Sequence, residues 1–458
     1  MSRRATAVLG LAAVAGGALA PHLLARPVAG AALSAIVLFG AVSIIALSRF
    51  LKRRGIDPLD PAVAFPLATV AWFAVASLPL LSDREGHRPP LSPRAWLLVV
   101  PALAAFGLGV RVAPRPPSSR RLPAHAAARF EPRRLLAVLA TLFALAAAAL
   151  GAVWTRSGVP FLSGSLEEMR LTAISSGWTR AVALLLVPVA TLVLAHAATL
   201  GRGEKLRAPF ILLLAASLVL LAATGGRGFV IIPIGTGIVL FHVLRRPLSL
   251  GRFAALGLLL ALFSSAYLAV RGMSHYGTNT YVEYLSTITH LPDPLAPLAP
   301  VVLGLRASPV AFGELLDVVP REVPFQLGRF LVAPLVSFLP GHQAWAPEFI
   351  QGALRHEFPG FGEPATIFGS FYLDFGVPGV LAGSFLTGLA WSALRRRFEA
   401  MRDLLHAILL AQAAVLVLLS IYGDVYGGLV FFLFVSGICF VVIALAGARP
   451  ASAPPEVS

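Results

Sequence analysis

Hydrophobic positions in this 458-residue chain neither alternate with polar ones nor keep to one helical stripe; they run in blocks that are apolar all round. A block of about 20 residues at 1.5 Å rise crosses a bilayer's hydrocarbon core, and only a helix satisfies its own backbone there. About twelve such blocks occur, near 6–23, 30–50, 62–81, 95–112, 135–154, 180–200, 208–224, 229–244, 253–270, 366–394, 404–421 and 429–446. The pattern predicts an all-α integral membrane protein with about 12 transmembrane helices. The opening MSRRATAVLGLAAVAGGALA has the basic head and apolar body of a signal peptide, but a second apolar block follows within a few residues, so a retained first span is expected.

Polar segments between the blocks are charged unequally. Starting with the N-terminus on the cytoplasmic side, the dense basic clusters at 2–4, 51–55, 111–134, 201–207, 244–252 and 395–402 all fall on that side, as the positive-inside rule requires. The 111–134 loop sets Arg115, Arg120, Arg121, Arg129, Arg133 and Arg134 against one acid, Glu131, in a Pro/Ser/Ala-rich connector. The opposite, outer side receives 154–179, the turn 225–228, the long stretch 271–365 and YGDVYGG at 422–428. The chain thus divides into spans 1–4 with their basic loop (1–134), spans 5–9 with outer-face arginine loops (135–270), a large outer loop between spans 9 and 10 (271–365), and spans 10–12 with a short cytoplasmic tail (366–458). Within the large loop, FQLGRFLVAPLVSFL at 325–339 is Pro-broken and short, which predicts an interfacial or re-entrant helix. No internal repeat supports the inverted architecture of many transporters.

Composition agrees with the membrane reading. Hydrophobic residues make up 57% and charged ones 13%, with a mean hydropathy of +0.83, too little polar side chain to cover a soluble globule. The net charge of +16 reflects topology rather than nucleic acid, because the basic residues lie in short clusters between apolar runs. Cys439 is the one cysteine and sits in an apolar run, which excludes a disulfide framework or a thiolate metal site. His275, His290, His342 and His356 lack metal-ligand spacing, and no phosphate loop, dinucleotide fingerprint or Asp-x-Asp pair is present, so neither metal nor nucleotide cofactor is expected.

Candidate chemistry gathers on the outer side. Arg170, in the loop RSGVPFLSGSLEEMRLTAISSGWTR, either pairs locally with Glu167 and Glu168 or holds an anion at the membrane face. Arg227, in ATGGRGFVIIPIG, either snorkels to lipid phosphate or joins glycine amides at a helix N-terminus as a diphosphate cradle. The stretch 355–397 leads from Arg355, His356, Glu357 and Glu363 into an apolar segment that carries Asp374 and ends on Arg395, Arg396 and Arg397. His356 and Glu363 are candidates for a general base, or else polar residues solvating a loop. Asp374, an acid at bilayer depth, is a functional candidate or a cap between helices. Tyr281, Trp345 and Tyr372 are placed to contact a glycan, although aromatics are also common at membrane interfaces. Gly369, Gly376, Gly379, Gly383 and Gly388 read as close-packing positions.

Taken in order, GVPFLSGSLEEMR, LAATGGRGFVIIPIGTGIVLFHVLRR, SFLPG and FPGFGEPATIFGSFYLDFGVPGVLAGSFLTGLAWSALRRR resemble the oligosaccharide repeat-unit polymerases, the Wzy-type O-antigen polymerases of bacterial inner membranes, across roughly 158–397. The resemblance implies a type-C glycosyltransferase-like fold, a periplasmic outer face and cytoplasmic termini. It implies transfer of a growing glycan from undecaprenyl diphosphate to the next lipid-linked repeat unit, with a flippase and a chain-length regulator as partners. Carried onto this chain, the diphosphate-binding arginines are Arg170 and Arg227, with Arg271 and Arg355 as additions. Where the family often shows Gly-Glu-x-Tyr, this chain has GSFY with Ser370, so the base falls among Glu363, His356 and Asp374. An O-antigen ligase, or a lipid-linked glycan flippase, is the alternative reading.

Overall fold

A computed structural model describes residues 55–77, 91–114, 130–159, 184–201, 203–277, 283, 299–336, 346–355 and 364–446. Thirteen helices make up these residues: α1 (Pro61–Ala76), α2 (Pro93–Val112), α3 (Pro132–Ser157), α4 (Leu186–Thr199), α5 (Ala208–Ala223), α6 (Arg227–Leu244), α7 (Leu250–Tyr276), α8 (Ala299–Val318), α9 (Arg329–Val336), α10 (Ala346–Ala353), α11 (Thr366–Met401), α12 (Leu404–Leu419) and α13 (Val425–Ala446). No strand occurs among the described residues. Six helices, namely α2, α3, α6, α7 up to Tyr267, α11 and α13, are long and apolar enough to cross a membrane, and α1, α4, α5 and α12 are shorter apolar helices. Large apolar side chains such as Leu97, Leu145, Leu212, Val219, Leu259 and Leu445 point outward over half exposed. In water that surface would aggregate; against lipid it is the expected one. The chain is a multi-pass α-helical membrane protein. The apolar runs at 6–23 and 30–50, and most of the basic 111–134 loop, lie outside the described residues; each remaining run coincides with a helix.

Helix starts follow from local chemistry. Asp60 accepts from the Ala62 amide ahead of Pro61, Ser92 from the Arg94 amide ahead of Pro93, and Asp403 from the His406 amide. The helices pack around two apolar cores, one built by α3–α6 with α12 and α13, the other by α1, α2, α8 and α11, with α12 contributing to both. Lipid offers no hydrophobic drive between helices, so close approach of small residues does that work. A Cβ on Gly109 of α2 would sit 2.0 Å from the Phe385 carbonyl oxygen of α11, and one on Gly388 would sit 2.2 Å from the Phe106 carbonyl oxygen.

Contacts at the helix ends define two faces of the bundle. At the basic end, Asp57 before α1 meets His242 in the last turn of α6 and Arg395 late in α11, and Arg396 donates to the Val110 carbonyl at the end of α2. At the opposite end, Trp96 donates to Ser77, Tyr267 to the Ala222 carbonyl, and the Ile367 amide to the Ser420 carbonyl. Helices α1, α2, α6, α11 and α12 therefore alternate in direction as the arginine clusters predict.

Sequence analysis read 366–394 as one crossing span. The structure folds it back on itself instead. Gly376 has φ 63 and ψ −152, a conformation open only to glycine. A Cβ on Gly379 would lie 2.5 Å from the Phe371 carbonyl oxygen, and one on Gly383 would lie 2.3 Å from the Phe371 ring. In an unbroken helix residues 371 and 383 stand about 18 Å apart along the axis. The halves 366–375 and 377–401 must therefore lie side by side, joined at Gly376. Pro378 has no amide for the Asp374 carbonyl; the Leu327 amide supplies one at 2.9 Å, and the Gln326 amide does the same for Leu373.

The stretch taken as a single large loop also differs from expectation. Helix α7 continues to Tyr276, so Arg271 lies in its last turns, and 299–318 forms the 20-residue helix α8 packed on α1, α2 and α11. The apolar 325–339 segment supplies the short helix α9, set against the Gly376 turn.

Candidate functional site

Depth comes from helix length. Helix α12 starts at Leu404, just after α11 ends at Met401, so the two share a level at the basic end. From there the 377–401 half rises about 37 Å at 1.5 Å per residue, whereas the 16 residues of α12 rise about 24 Å. The turn after α12 is thus recessed by roughly 13 Å below the Gly376 turn. The half-helix 366–375, about 15 Å long, spans that difference, with Ile367 bonded to Ser420 at its foot.

Arg227 stands at the floor of this recess. Thr224 closes α5 by donating to the Leu221 carbonyl, and Gly225 takes φ 83, a left-handed cap that favours glycine. Gly226 then begins α6 with no side chain to cap its first amides. The Arg227 guanidinium donates through Nη2 to the Tyr422 hydroxyl and lies 5.1 Å from the Tyr422 ring centroid. Among the described residues no carboxylate pairs with it. The Trp72 ring packs 5.9 Å from that of Tyr422, and its buried Nε1 has no hydrogen-bond partner among them. A half-buried guanidinium with no carboxylate among the described residues, beside helix amides without a side-chain cap, presents the donor types that phosphate oxygens accept from.

Two residues beyond Tyr422, Asp424 caps α13 by accepting from the Tyr426 amide at 3.0 Å and the Gly427 amide at 2.9 Å. It also receives the Ser370 hydroxyl at 3.1 Å, while that hydroxyl lies 3.0 Å from the Thr366 carbonyl. One proton serves two acceptors there. Burial pushes the Asp424 carboxyl above the usual carboxylate range, although the capping amides and Ser370 oppose the shift; the nearby Asp374 charge adds to it. Tyr426 donates to the Ser370 carbonyl at 3.4 Å and also interacts with Asp374. The fully buried Asp374 carboxylate accepts from the Phe330 and Leu331 amides at 3.4 and 3.2 Å, capping α9.

The structure thus links Arg227 to Tyr422 and Asp374 to Tyr426, two residues of the same short turn. Tyr372 is buried nearby, its hydroxyl donating to the Val319 carbonyl at 3.0 Å and its ring against Phe325. Arg355 sits apart as an exposed pair with Glu322 at 2.9 Å, worth about 0–1 kcal/mol. Arg170, Tyr281, Trp345, His356 and Glu363 lie outside the described residues. Reasoning from sequence marked YGDVYGG only as an outer segment and Ser370 only as a departure. It did not pick out Tyr422, Asp424, Tyr426 or Trp72. The signal available was a lone acid between two tyrosines in a tight turn between apolar helices. The chain has no significant match to any protein-family model, curated protein or solved structure.

Proposed function

We propose that this protein is a polysaccharide repeat-unit polymerase, a glycosyltransferase that moves a growing glycan from undecaprenyl diphosphate to the next lipid-linked repeat unit. The single observation that carries the reading is Arg227: a half-buried guanidinium with no carboxylate among the described residues, at the uncapped start of α6 beside Tyr422. That is where a membrane-delivered diphosphate is both reachable and in need of compensation. In this reading the basic loops and both termini lie in the cytoplasm, as the positive-inside rule favours, and the Arg227 face opens to the periplasm of an inner-membrane protein.

In this scheme Arg227, with Arg170 and Arg271 as further donors, neutralises the departing diphosphate. A carboxylate takes the acceptor hydroxyl's proton, and the glycosidic bond forms as the bond to diphosphate breaks. No nucleotide or metal enters.

The test uses the full chain in liposomes with undecaprenyl-diphosphate-linked repeat units. Elongated glycan and free undecaprenyl diphosphate are expected without added nucleotide or metal. Arg227→Ala should lose about 10²- to 10³-fold, the scale for one transition-state charge donor, with normal insertion. Unchanged elongation in that variant, or long laddered polysaccharide in deletion cells, would sink the reading; loss of attachment alone would indicate a ligase.

A further inference from the structure

Helices α4, α5, α6 and α7 line an open apolar cavity of about 330 Å³ that no step of glycosyl transfer uses. Leu194, Leu218, Gly237, Phe241, Leu248 and Leu256 line it. Gly237 lets the Leu194 side chain pack tightly against α6 at the back wall, since a Cβ there would lie 2.8 Å from it. Helix α7 crosses in front, tied to α5 by the Tyr267–Ala222 hydrogen bond at one end and presenting Leu256 to the cavity near the other. The outward face of α7, with Leu258, Leu259, Leu262 and Phe263, is exposed, so the cavity is continuous with the lipid phase.

The mouth of this cavity is charged. Leu248 belongs to the α6–α7 turn at the basic end, where Arg245, Arg246 and Arg252 are all exposed. None of the three forms an ion pair among the described residues. Arg245 ties the charge to the cavity, because its guanidinium lies 5.6 Å from the centroid of the Phe241 ring that forms the wall. Lys205 and Arg207, in the turn before α5, add exposed positive charge at the same end.

We infer that this cavity is a binding site for an anionic phospholipid of the leaflet at the basic end. One acyl chain fills the cavity and the headgroup phosphate lies on Arg245, Arg246 and Arg252. The apolar lining takes any chain, while the arginines select headgroup charge; a zwitterionic lipid gains only the first interaction. The bound lipid braces α7 against α6, whose other end carries Arg227.

Native mass spectrometry of the full-length protein in detergent, with phosphatidylglycerol and phosphatidylcholine of identical chains, tests this. Phosphatidylglycerol should bind about a hundredfold more tightly, from about fivefold per arginine. The triple variant Arg245→Gln/Arg246→Gln/Arg252→Gln changes only exposed residues, and should bring phosphatidylglycerol down to the phosphatidylcholine level. Leu256→Trp should expel both lipids. Equal binding of the two lipids by the wild type overturns the inference, as does a preference that survives the triple variant. So does retention in Leu256→Trp, or displacement by an isoprenyl phosphate, which would give the cavity to a different lipid.

Discussion

Asp57→Asn should loosen the bundle at the end remote from Arg227. Asp57 accepts from His242 Nε2 at 2.9 Å through one oxygen and from Arg395 Nη2 at 2.9 Å through the other, and the Leu59 amide donates to it as well. The Leu248 amide donates to His242 Nδ1 at 2.8 Å, which fixes the proton of the neutral ring on Nε2, facing Asp57. Burial by itself would raise the carboxyl, but the His242 hydrogen bond and the Arg395 guanidinium outweigh it and hold Asp57 at about 2 against 3.8 free. That difference is worth about 2 kcal/mol of folded-state stability. Breaking a buried pair costs about 3–5 kcal/mol, but the Asp57 and Arg395 side chains keep 28% and 19% exposure, so the smaller figure governs. The sign is fixed by the lowered value: the contribution is complete above pH 3.8 and is lost as pH falls toward 2. Equilibrium unfolding in mixed micelles should therefore show Asp57→Asn less stable by about 2 kcal/mol at pH 7, and lacking the part of the acid dependence that the wild type shows between pH 4 and 2. A cycle with Arg395→Gln should return about 1–2 kcal/mol of coupling. A variant within about 0.5 kcal/mol of wild type, or one with an unchanged acid limb, would refute the latch.

Three further outcomes are expected. Asp374→Ala strips a buried acceptor from two α9 amides and from Tyr426 and should cost about 2–4 kcal/mol, whereas Asp374→Asn keeps an acceptor for one of the two amides, which meet separate carboxylate oxygens, and should cost less; equal losses in the two variants would contradict a capping role. Asp424→Ala removes the acceptor of the Tyr426 and Gly427 amides that start α13 and should cost about 1–2 kcal/mol, whereas Asp424→Asn, which keeps an acceptor for the Tyr426 amide, should lose less; equal losses in the two variants would contradict the cap. Gly388→Val should cost about 3 kcal/mol or more, as its Cβ meets the Phe106 carbonyl oxygen at 2.2 Å, while Gly107→Ala, with nothing within 4 Å, should be neutral or stabilising in the same unfolding assay.

Block length and arginine placement made most helices and their alternation legible, because both are one-dimensional properties that lipid reads directly. Helix α8 was not legible as part of the core. Its Arg306, Pro309, Glu314 and Asp317 dilute the hydropathy of a segment whose Phe312 and Leu315 are nevertheless fully buried. The fold-back of α11 hid for the opposite reason: Gly376 and Pro378 were visible, but apolar residues run straight through them, and hydropathy does not register a reversal of direction. What makes the turn possible is long-range, namely the Gln326 and Leu327 amides that meet the freed carbonyls.

The same reversal explains why the candidate site was only half visible from sequence. Read as a straight span, Asp374 lies within the bilayer and Arg227 at its surface, with no reason to share a site. Once 366–375 folds back onto the C-terminal end of α12, Ser370 reaches Asp424, Tyr426 links both to Asp374, and Tyr422 of the same turn holds Arg227. Arg227 meets its neighbours because α1, α5 and α12, each of 16 residues, stop short of a hydrocarbon core about 30 Å thick. The shortfall creates a polar floor at membrane depth. A charged group is costly there unless paired, and Arg227 has no carboxylate among the described residues. Tyr422, the α6 amides without a side-chain cap and a Trp72 indole with no partner among the described residues therefore surround Arg227 with hydrogen-bond donors and no compensating negative charge.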